Sequence, residues 1–207
     1  MPTRRLVLAS ASPARLRLLT QAGFAPDVQV SGVDETAVTA GDPAALVGAL
    51  AQAKAEAVAA MIDADAGARG AIVIGCDSVL DVDGAAQGKP DSGAEALARL
   101  RKLRGRVAVL RTGHCVIDTE QQRCACGTAS TAVTFGDYDD AELEAYVATG
   151  EPVEVAGAFT LDGYAAPFIG GVEGDPSNVI GLSLPMFRTL LRELGIEVRD
   201  LWVPRCR

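Results

Sequence analysis

Two acidic residues occur where the sequence predicts that a strand ends. Asp77 directly follows the apolar run 71–76, which has the length and composition of a strand buried on both faces. Proteins that alternate strands and helices place ligands just beyond the ends of such strands, although an Asp there also commonly caps a turn. Glu35 follows a second predicted strand, 25–31. It could supply a carboxylate to a metal ion or lie in a surface loop.

A serine-rich turn is a candidate anion site. Ser10 and Ser12 lie between a predicted strand, 6–8, and a predicted helix that has Ser12 as its N-cap and Pro13 as its first residue. The free N–H groups at a helix start attract phosphate or carboxylate. Arg15 in the first turn would add a bidentate donor. An ordinary strand–helix connection with an exposed Arg is the alternative.

Lysine is scarce in this chain, which has nineteen basic residues of which only Lys54, Lys89 and Lys102 are lysines. Lys54 borders the apolar stripe of a predicted helix, 44–63, where an ammonium ordinarily extends into solvent. Lys89 lies between a Gly and a Pro in a predicted loop, and the sequence contains no P-loop motif. Carboxylates combined with lysines and an amide-rich turn fit metal-dependent phosphoryl chemistry.

Strands and helices alternate along the chain, which indicates an α/β protein. Asp42 and Pro43 should begin the helix 44–63, and Asp83 with Gly84 should form a hairpin turn. Gly113 interrupts a predicted strand, which indicates a bulge or a close backbone contact. We also predict strands at 106–117, 124–135 and 196–203, a short strand or turn at 168–173, and helices that begin at Asp91 or Ser92, at Asp139 and at Ser183. The predicted helix 44–63 should carry an apolar stripe of Leu46, Leu50, Ala53, Ala57 and Met61.

Composition limits the classes of protein to consider. The 207 residues are 49% hydrophobic and 22% charged, which is compatible with a single folded domain over residues 1–207. The net charge of −8 argues against a nucleic-acid-binding module, which needs a basic face. No apolar run looks long enough to span a membrane, and the basic start of the chain lacks the apolar segment of a signal peptide. We therefore expect a cytoplasmic protein.

Histidine and cysteine contribute little to the predicted chemistry. His114 is the only histidine, so a multi-histidine metal site is excluded and a structural role is favoured. Cys124 and Cys126 would share one strand face, which suits buried thiols better than a disulfide framework or a zinc site. The five cysteines form no C-x-x-C pair; they are Cys76, Cys115, Cys124, Cys126 and Cys206.

These motifs together resemble the Maf family of nucleotide pyrophosphatases. The matching segments are Leu-Ala-Ser-Ala-Ser-Pro at 8–13, Asp-Ser-Val at 77–79, Gly-Lys-Pro at 88–90 and Gly-Asp-Pro-Ser-Asn-Val-Ile-Gly-Leu-Ser-Leu at 174–184, and the resemblance covers nearly the whole chain. It implies an α/β fold with a long mixed β-sheet flanked by helices, in two lobes bordering a cleft, similar to inosine triphosphate pyrophosphatase.

The resemblance also implies an activity and roles for the candidate residues. The activity is hydrolysis of ordinary or modified nucleoside triphosphates to nucleoside monophosphate and pyrophosphate, a house-cleaning reaction on non-standard nucleotides that depends on Mg²⁺ or Mn²⁺. Asp77 matches the family's proton acceptor, and Glu35 matches its metal- or phosphate-site glutamate, so both are candidate metal ligands. Lys54 matches an active-site lysine and Lys89 a phosphate-contacting lysine.

Three further positions bear on the nucleotide base, because the family's branches differ there: Ala14, Ser78 and Asp162. The branch acting on pyrimidines typically has Arg, Thr and Gln, so this chain matches it poorly. A carboxylate accepts hydrogen bonds, and guanine offers N–H and amino donors side by side. Asp162 and the small Ala14 therefore favour guanine-type triphosphates, including methylated guanosine triphosphate. Alternatively, Asp162 caps a turn before Gly163.

A second hypothesis from a different class remains open at this stage. The family has been linked to septum formation, so the same pocket could serve a non-catalytic nucleotide sensor that regulates cell division. Such a sensor would bind nucleotide without releasing pyrophosphate. We expect a nucleotide partner and no nucleic acid or membrane partner, and we leave a homodimer open.

Overall fold

The fold is a mixed β-sheet flanked by helices, seen in a computed structural model that describes residues 4–64 and 70–203. Seven strands form the sheet of this described part, in the order β2-β1-β3-β5-β6-β7, with β4 beside one end of β3. The strands are β1 Arg5–Leu8, β2 Asp27–Val28, β3 Ala71–Val82, β4 Ala85–Gln87, β5 Val107–Asp118, β6 Arg123–Phe135 and β7 Ile169–Glu173. β1 runs parallel to β2 and β3, and the other pairs are antiparallel. The predicted α/β class is confirmed.

Helices cover both faces of this sheet. The α-helices of the described residues are α1 Pro13–Gln21, α2 Pro43–Ala64, α3 Gly93–Leu103, α4 Asp140–Ala148, α5 Pro176–Ile180 and α6 Leu184–Glu193. Short 3₁₀ helices occur at Glu35–Ala37, Glu151–Glu154, Ala156–Ala158, Ala166–Phe168 and Val198–Asp200. The predicted helix starts are confirmed by side chains that accept hydrogen bonds from first-turn N–H groups, as Asp42 does from Ala44 and Ala45.

Helix α2 lies unusually close to the sheet. A β-carbon added to Gly113 of β5 would lie 2.0 Å from the carbonyl oxygen of Val47, and one added to Gly75 of β3 would lie 2.2 Å from that of Ala51. Both glycines therefore permit the helix backbone to rest directly on the strands. The strand register continues without a shift through Gly113. Of the two interpretations of this glycine, the close backbone contact is thus correct.

This packing corrects the predicted apolar stripe of α2. The buried face is offset from the predicted one, since Met61 is exposed and Val47, Ala51 and Ala55 are fully buried. Lys54 lies within the buried face rather than beside it. The sequence misplaced the stripe because alanines occur all round this helix and do not distinguish one face from another. The buried residues of α2 are Pro43, Val47, Leu50, Ala51, Lys54, Ala55, Val58, Ala59 and Ile62.

The opposite face of the sheet carries two apolar clusters. One packs α1 and α6 on β1 and the first half of β3, with Leu8, Ile74 and Phe187 at its centre. The other packs α3 and α4 on the second half of β3, with Leu80 and Phe135. Polar groups separate the two clusters, which places a hydrophilic boundary across the middle of the sheet. Ser78, Thr112 and Asn178 lie at this boundary.

His114 has the structural role that the sequence favoured. Its Nδ1 lies 3.0 Å from the carbonyl oxygen of Thr112, and its Nε2 accepts a hydrogen bond from the N–H of Ser183 at 2.8 Å. Burial lowers the pKa of His114 to about 4, so the ring is neutral near pH 7. It fixes the start of α6 against β5.

Several sequence predictions are wrong or fall outside the described residues. The strand predicted at 25–31 is only Asp27–Val28, and the predicted strand 196–203 is a 3₁₀ helix followed by a single bridge between Phe24 and Trp202. Cys124 and Cys126 are exposed rather than buried, because the apolar cluster under α2 is formed with β1, β3 and β5 and includes no described residue of β6. Residues 1–3, Cys206 and most of a connector that the sequence predicts at 64–70 lie outside the described ranges.

Helix α2 shows that one expectation is wrong, namely that no apolar run is long enough to span a membrane. It is 22 residues long, and its most apolar stretch of 18 residues has a mean hydropathy of 1.4, which is enough by length and composition to cross a membrane. It packs on β3 and β5, however, and carries Lys54 on its buried face. This is the arrangement of a core helix in a soluble α/β domain.

Candidate active site

The charged centre of the candidate site is a lysine between two carboxylates. The Nζ atom of Lys54 lies 2.5 Å from Oδ1 of Asp77 and 2.6 Å from Oε1 of Glu35. The side chains of Lys54 and Asp77 are about 10% exposed, whereas that of Glu35 is 57% exposed. The cluster is therefore buried on the sheet side and open to solvent on the Glu35 side, where a charged ligand can approach.

Three separate elements bring this cluster together. Lys54 projects from the sheet-facing side of α2, and Asp77 lies in the middle of β3 rather than after its end. Glu35 begins a 3₁₀ helix whose N-cap, Asp34, accepts hydrogen bonds from the N–H and hydroxyl of Thr36. Those bonds lower the pKa of Asp34. The close approach of α2 to the sheet allows the short distance between Lys54 and Asp77.

Asp77 lies beside a gap in the pairing of β3. On this edge β1 pairs with β3 only as far as Ile74, and β4 begins pairing at Leu80. Within the described chain, residues 75–79 therefore have no strand partner on that side. Backbone groups in such a gap need other partners.

Arg15 fills this gap. Its side chain is almost completely buried and donates hydrogen bonds to the carbonyl oxygen of Cys76 at 2.9 Å, to Oγ of Ser10 at 2.9 Å and to Oγ of Ser78 at 3.0 Å. Its Nε donates to the carbonyl oxygen of Gly181 at 2.7 Å. The alternative of an exposed Arg in an ordinary connection is wrong. Arg15 joins the serine turn, β3 and the α5–α6 connection, and its contact with phosphate stays a prediction.

The serine turn is ordered by the same arginine. Ser10 Oγ accepts from the N–H of Ser12 at 3.3 Å and from the Arg15 side chain, and Ser12 Oγ accepts from the N–H of Arg15 at 3.4 Å. Ser12 is thus the N-cap of α1, as predicted. Ser78 hydrogen-bonds with Thr112 at 3.0 Å. Because Arg15 bonds to both Ser10 and Ser78, it connects the serine turn to the centre of the sheet.

Lys89 lies apart from this cluster. It is exposed in the loop between β4 and α3, and no contact joins it to the other candidate residues in the described structure. The loop itself is held by the carbonyl oxygen of Gly88, which accepts from the N–H of Gly157 at 3.2 Å and from Arg99 at 2.8 Å. The exposed ammonium is therefore available for an anionic ligand.

Ala14 and Asp162 line one cavity of about 360 Å³, whereas Ser78, the third position that the resemblance links to the base, is not among its lining residues. Asp162 also pairs with Arg17 of α1, with Nη2 and Oδ2 3.2 Å apart. Sequence reasoning missed Arg17, although it lies one helical turn after Ala14 and therefore on the same side of α1. The other residues lining this cavity are Leu18, Gln21 and Ile180.

Comparison with known proteins agrees with this architecture. The family model described as Maf-like protein matches residues 5–194. The chain is 61% identical to a protein named nucleoside triphosphate pyrophosphatase from Streptomyces coelicolor, over 98% of this chain and 97% of that protein. A protein of the same name from Synechocystis is 52% identical over 95% and 97% of the two chains. The chain belongs to the Maf-like protein family.

The burial of Lys54 generates a prediction about stability. We expect Lys54→Met to lower the free energy of unfolding by about 2–3 kcal/mol, because the buried Asp77 carboxylate loses its paired cation. Urea denaturation at pH 7 measures this change. The matched control is Lys89→Met, which removes an exposed ammonium and should leave the denaturation midpoint unchanged. Equal effects of the two substitutions would contradict the assigned difference in burial.

Proposed function

We propose that this protein is a nucleoside triphosphate pyrophosphatase, which converts a nucleoside triphosphate to the monophosphate and pyrophosphate. The observation that carries the proposal is the cluster of Glu35, Lys54 and Asp77 beside the gap in β3. The printed name of relatives up to 61% identical over nearly their full length supports the same reaction. This is a hydrolase acting on acid anhydrides, with house-cleaning of non-standard nucleotides as its role.

Asp77 is the proposed proton acceptor. A carboxylate in contact with an ammonium is held in one orientation, and it can direct a water molecule and receive its proton as the water attacks phosphorus. Attack at the α-phosphorus breaks the bond to the bridging oxygen and releases pyrophosphate. Lys54, which contacts Asp77, also supplies positive charge where negative charge develops.

The remaining candidates serve to bind the triphosphate. Lys89 offers an exposed ammonium, and the serine turn with Ser10 and Ser12 offers hydroxyl and amide donors at the start of α1. Arg15 holds Ser10 and Ser78 in place through its hydrogen bonds. Together these groups can neutralise several phosphate oxygens at once.

The donor set is compatible with a divalent cation. Glu35 and Asp77 already share one cation, the Lys54 ammonium, so they lie close enough to hold a metal ion together. Among the described residues, no three His, Cys, Asp or Glu side chains converge to form a protein-only metal site. Mg²⁺ and Mn²⁺ are commonly bound by one or two carboxylates together with substrate phosphates. When bound, such an ion would neutralise charge on the triphosphate.

The proposed role of Asp77 is tested by substitution. We expect Asp77→Asn to reduce kcat by at least about a hundredfold, because the amide cannot accept the proton. Pyrophosphate release under saturating nucleotide measures this. Asp81→Asn is the matched control, since Asp81 lies on the same strand in an ion pair of 2.7 Å with Arg111. Near-normal turnover by the Asp77 variant would remove that residue from the proton-acceptor role.

Metal dependence is tested by removal and return of the ion. We expect excess chelator to abolish pyrophosphate release and either Mg²⁺ or Mn²⁺ to restore it, because two carboxylates and a triphosphate are hard oxygen ligands. Nucleotide binding measured by calorimetry with and without the ion provides an independent readout. Unchanged turnover in excess chelator would refute the cofactor proposal.

The cavity beside α1 supports a preference for guanine-type bases. Asp162 supplies hydrogen-bond acceptors and Arg17 supplies donors at the same cavity. Guanine presents adjacent N–H and amino donors on one edge and two acceptors on another. Ala14 leaves room for a purine, and methylated guanosine triphosphate is included in the proposed substrate class. Uracil and thymine place carbonyl oxygens beside their single N–H, which a carboxylate repels.

The proposed preference for guanine-type bases can be tested by comparing substrates directly. We expect kcat/KM to be higher for GTP and methylated GTP than for UTP and dTTP, and Asp162→Gln to reduce that ratio by at least about tenfold. Asp27→Gln is the control, because Asp27 forms a comparable exposed ion pair with Arg5 away from the cavity. If the wild type hydrolyses UTP and dTTP equally well, Asp162 is a turn residue and the base proposal fails.

The non-catalytic regulator of cell division is not favoured by the names of the relatives. The net charge of −8 suits a free nucleotide as the partner better than a nucleic acid. A cytoplasmic location is part of the proposal, since the triphosphates are cytoplasmic metabolites and four described cysteines are unpaired. A homodimer is compatible with this function but is not required by it.

A further inference from the structure

Two cysteines face each other across neighbouring strands of the sheet. Cys115 of β5 and Cys126 of β6 are direct partners in the antiparallel register. Their Sγ atoms are in direct contact, 2.6 Å apart. Cys115 is buried against α2, whereas Cys126 is exposed. The candidate site uses neither thiol.

The register alone makes this pair suitable for a disulfide. Directly opposed residues of antiparallel strands have Cα atoms about 4.5–5.5 Å apart. Disulfides need Cα separations of roughly 4.4–6.8 Å and Cβ vectors that point toward each other. The opposed positions satisfy the Cα distance, and the contact between the two Sγ atoms shows that the side chains converge, so bridging requires no change of strand register.

The other described thiols are poorly placed for a bridge. Cys124 faces Ile117 in the register. It contacts Cys126 but lies two positions from it on the same strand, with Ala125 between them, where side chains project in parallel rather than toward each other. Cys76 is fully buried on the opposite face of the sheet in the α1–α6 cluster. Burial raises the pKa of Cys76 to about 12, which keeps that thiol unreactive.

The two paired thiols differ in reactivity. Contact with the Cys115 thiol, and to a smaller extent with Cys124, lowers the pKa of Cys126, whereas the Cys126 contact together with burial raises the pKa of Cys115. A thiolate is the reactive form of cysteine, and exposure gives an oxidant access to it. Cys126 is therefore suited to react first, and Cys115 to react with the product.

We propose that Cys126 and Cys115 form a reversible oxidation site that peroxide converts to a cross-strand disulfide. The Cys126 thiolate attacks one oxygen of hydrogen peroxide, the O–O bond breaks, and hydroxide leaves, which gives a sulfenic acid. The Cys115 sulfur then attacks the Cys126 sulfur, the S–O bond breaks, and the departing hydroxide takes the Cys115 proton as water. Two thiols and one peroxide thus yield one disulfide and two waters.

The test compares the reduced wild type with Cys124→Ser and Cys126→Ser after exposure to hydrogen peroxide. Thiols are counted under denaturing conditions, and disulfide-linked peptides are mapped by mass spectrometry without reduction. We expect the wild type to fall from five free thiols to three, and dithiothreitol to restore all five. Cys124→Ser should still lose two thiols, whereas Cys126→Ser should form no bridge to Cys115.

Peptide mapping makes the assignment independent of whether the Cys126 variant folds. Trypsin cuts at Arg123 and so separates Cys115 from Cys126, but it leaves Cys124 and Cys126 in one peptide. The Cys124→Ser protein therefore identifies which sulfur is linked to Cys115. A bridge that includes Cys124 or Cys206, irreversible oxidation without a bridge, or no thiol loss at peroxide levels that oxidise glutathione would each overturn the proposal. Because the readout is chemical, its outcome is separate from that of the proposed hydrolysis.

Discussion

The arrangement of this protein depends on the contact of one ammonium with two carboxylates. Lys54 extends from α2 to meet Asp77 of β3 and Glu35 at distances of 2.5 and 2.6 Å. Burying a charged lysine this deeply is costly unless its charge is paired, because an isolated ammonium loses its hydration. The pairing in turn requires that α2 rest directly on the strands, which the glycines at positions 75 and 113 permit. The close packing of α2 on the sheet is therefore needed both for the fold and for the contact of Lys54 with Asp77.

A second constraint is the interrupted edge of β3. The strand is twelve residues long, but its neighbours β1 and β4 cover only its two ends on this edge. The Arg15 guanidinium fills part of the gap by donating to the Cys76 carbonyl and to the hydroxyls of Ser10 and Ser78. A buried arginine with several acceptors is a rigid support. It holds the serine turn against β3 next to Cys76 and Ser78.

The sequence allowed much of this to be predicted, for identifiable reasons. The long strands, the hairpin at Asp83 and Gly84 and the helix caps follow from local propensity, and left-handed backbone at both hairpin residues agrees with the predicted turn. Grouping Ala14 with Asp162 relied on family resemblance, since these residues are far apart in the chain. The strand predicted at 196–203 is wrong because this segment, although its pattern suits a strand, forms a 3₁₀ helix. Its only strand-like pairing among the described residues is the single bridge between Phe24 and Trp202.

By itself, the sequence determined the α/β class, most element boundaries and the candidate carboxylates and lysines, because propensities, caps and motifs are local properties. Only the tertiary structure decided which face of α2 is buried, that Lys54 lies within that face, and that Arg15 is an internal support. It also decided that Arg17 meets Asp162 and that Cys115 faces Cys126. These are results of helix docking and strand register, which depend on contacts between distant segments and therefore leave no local signal in the chain.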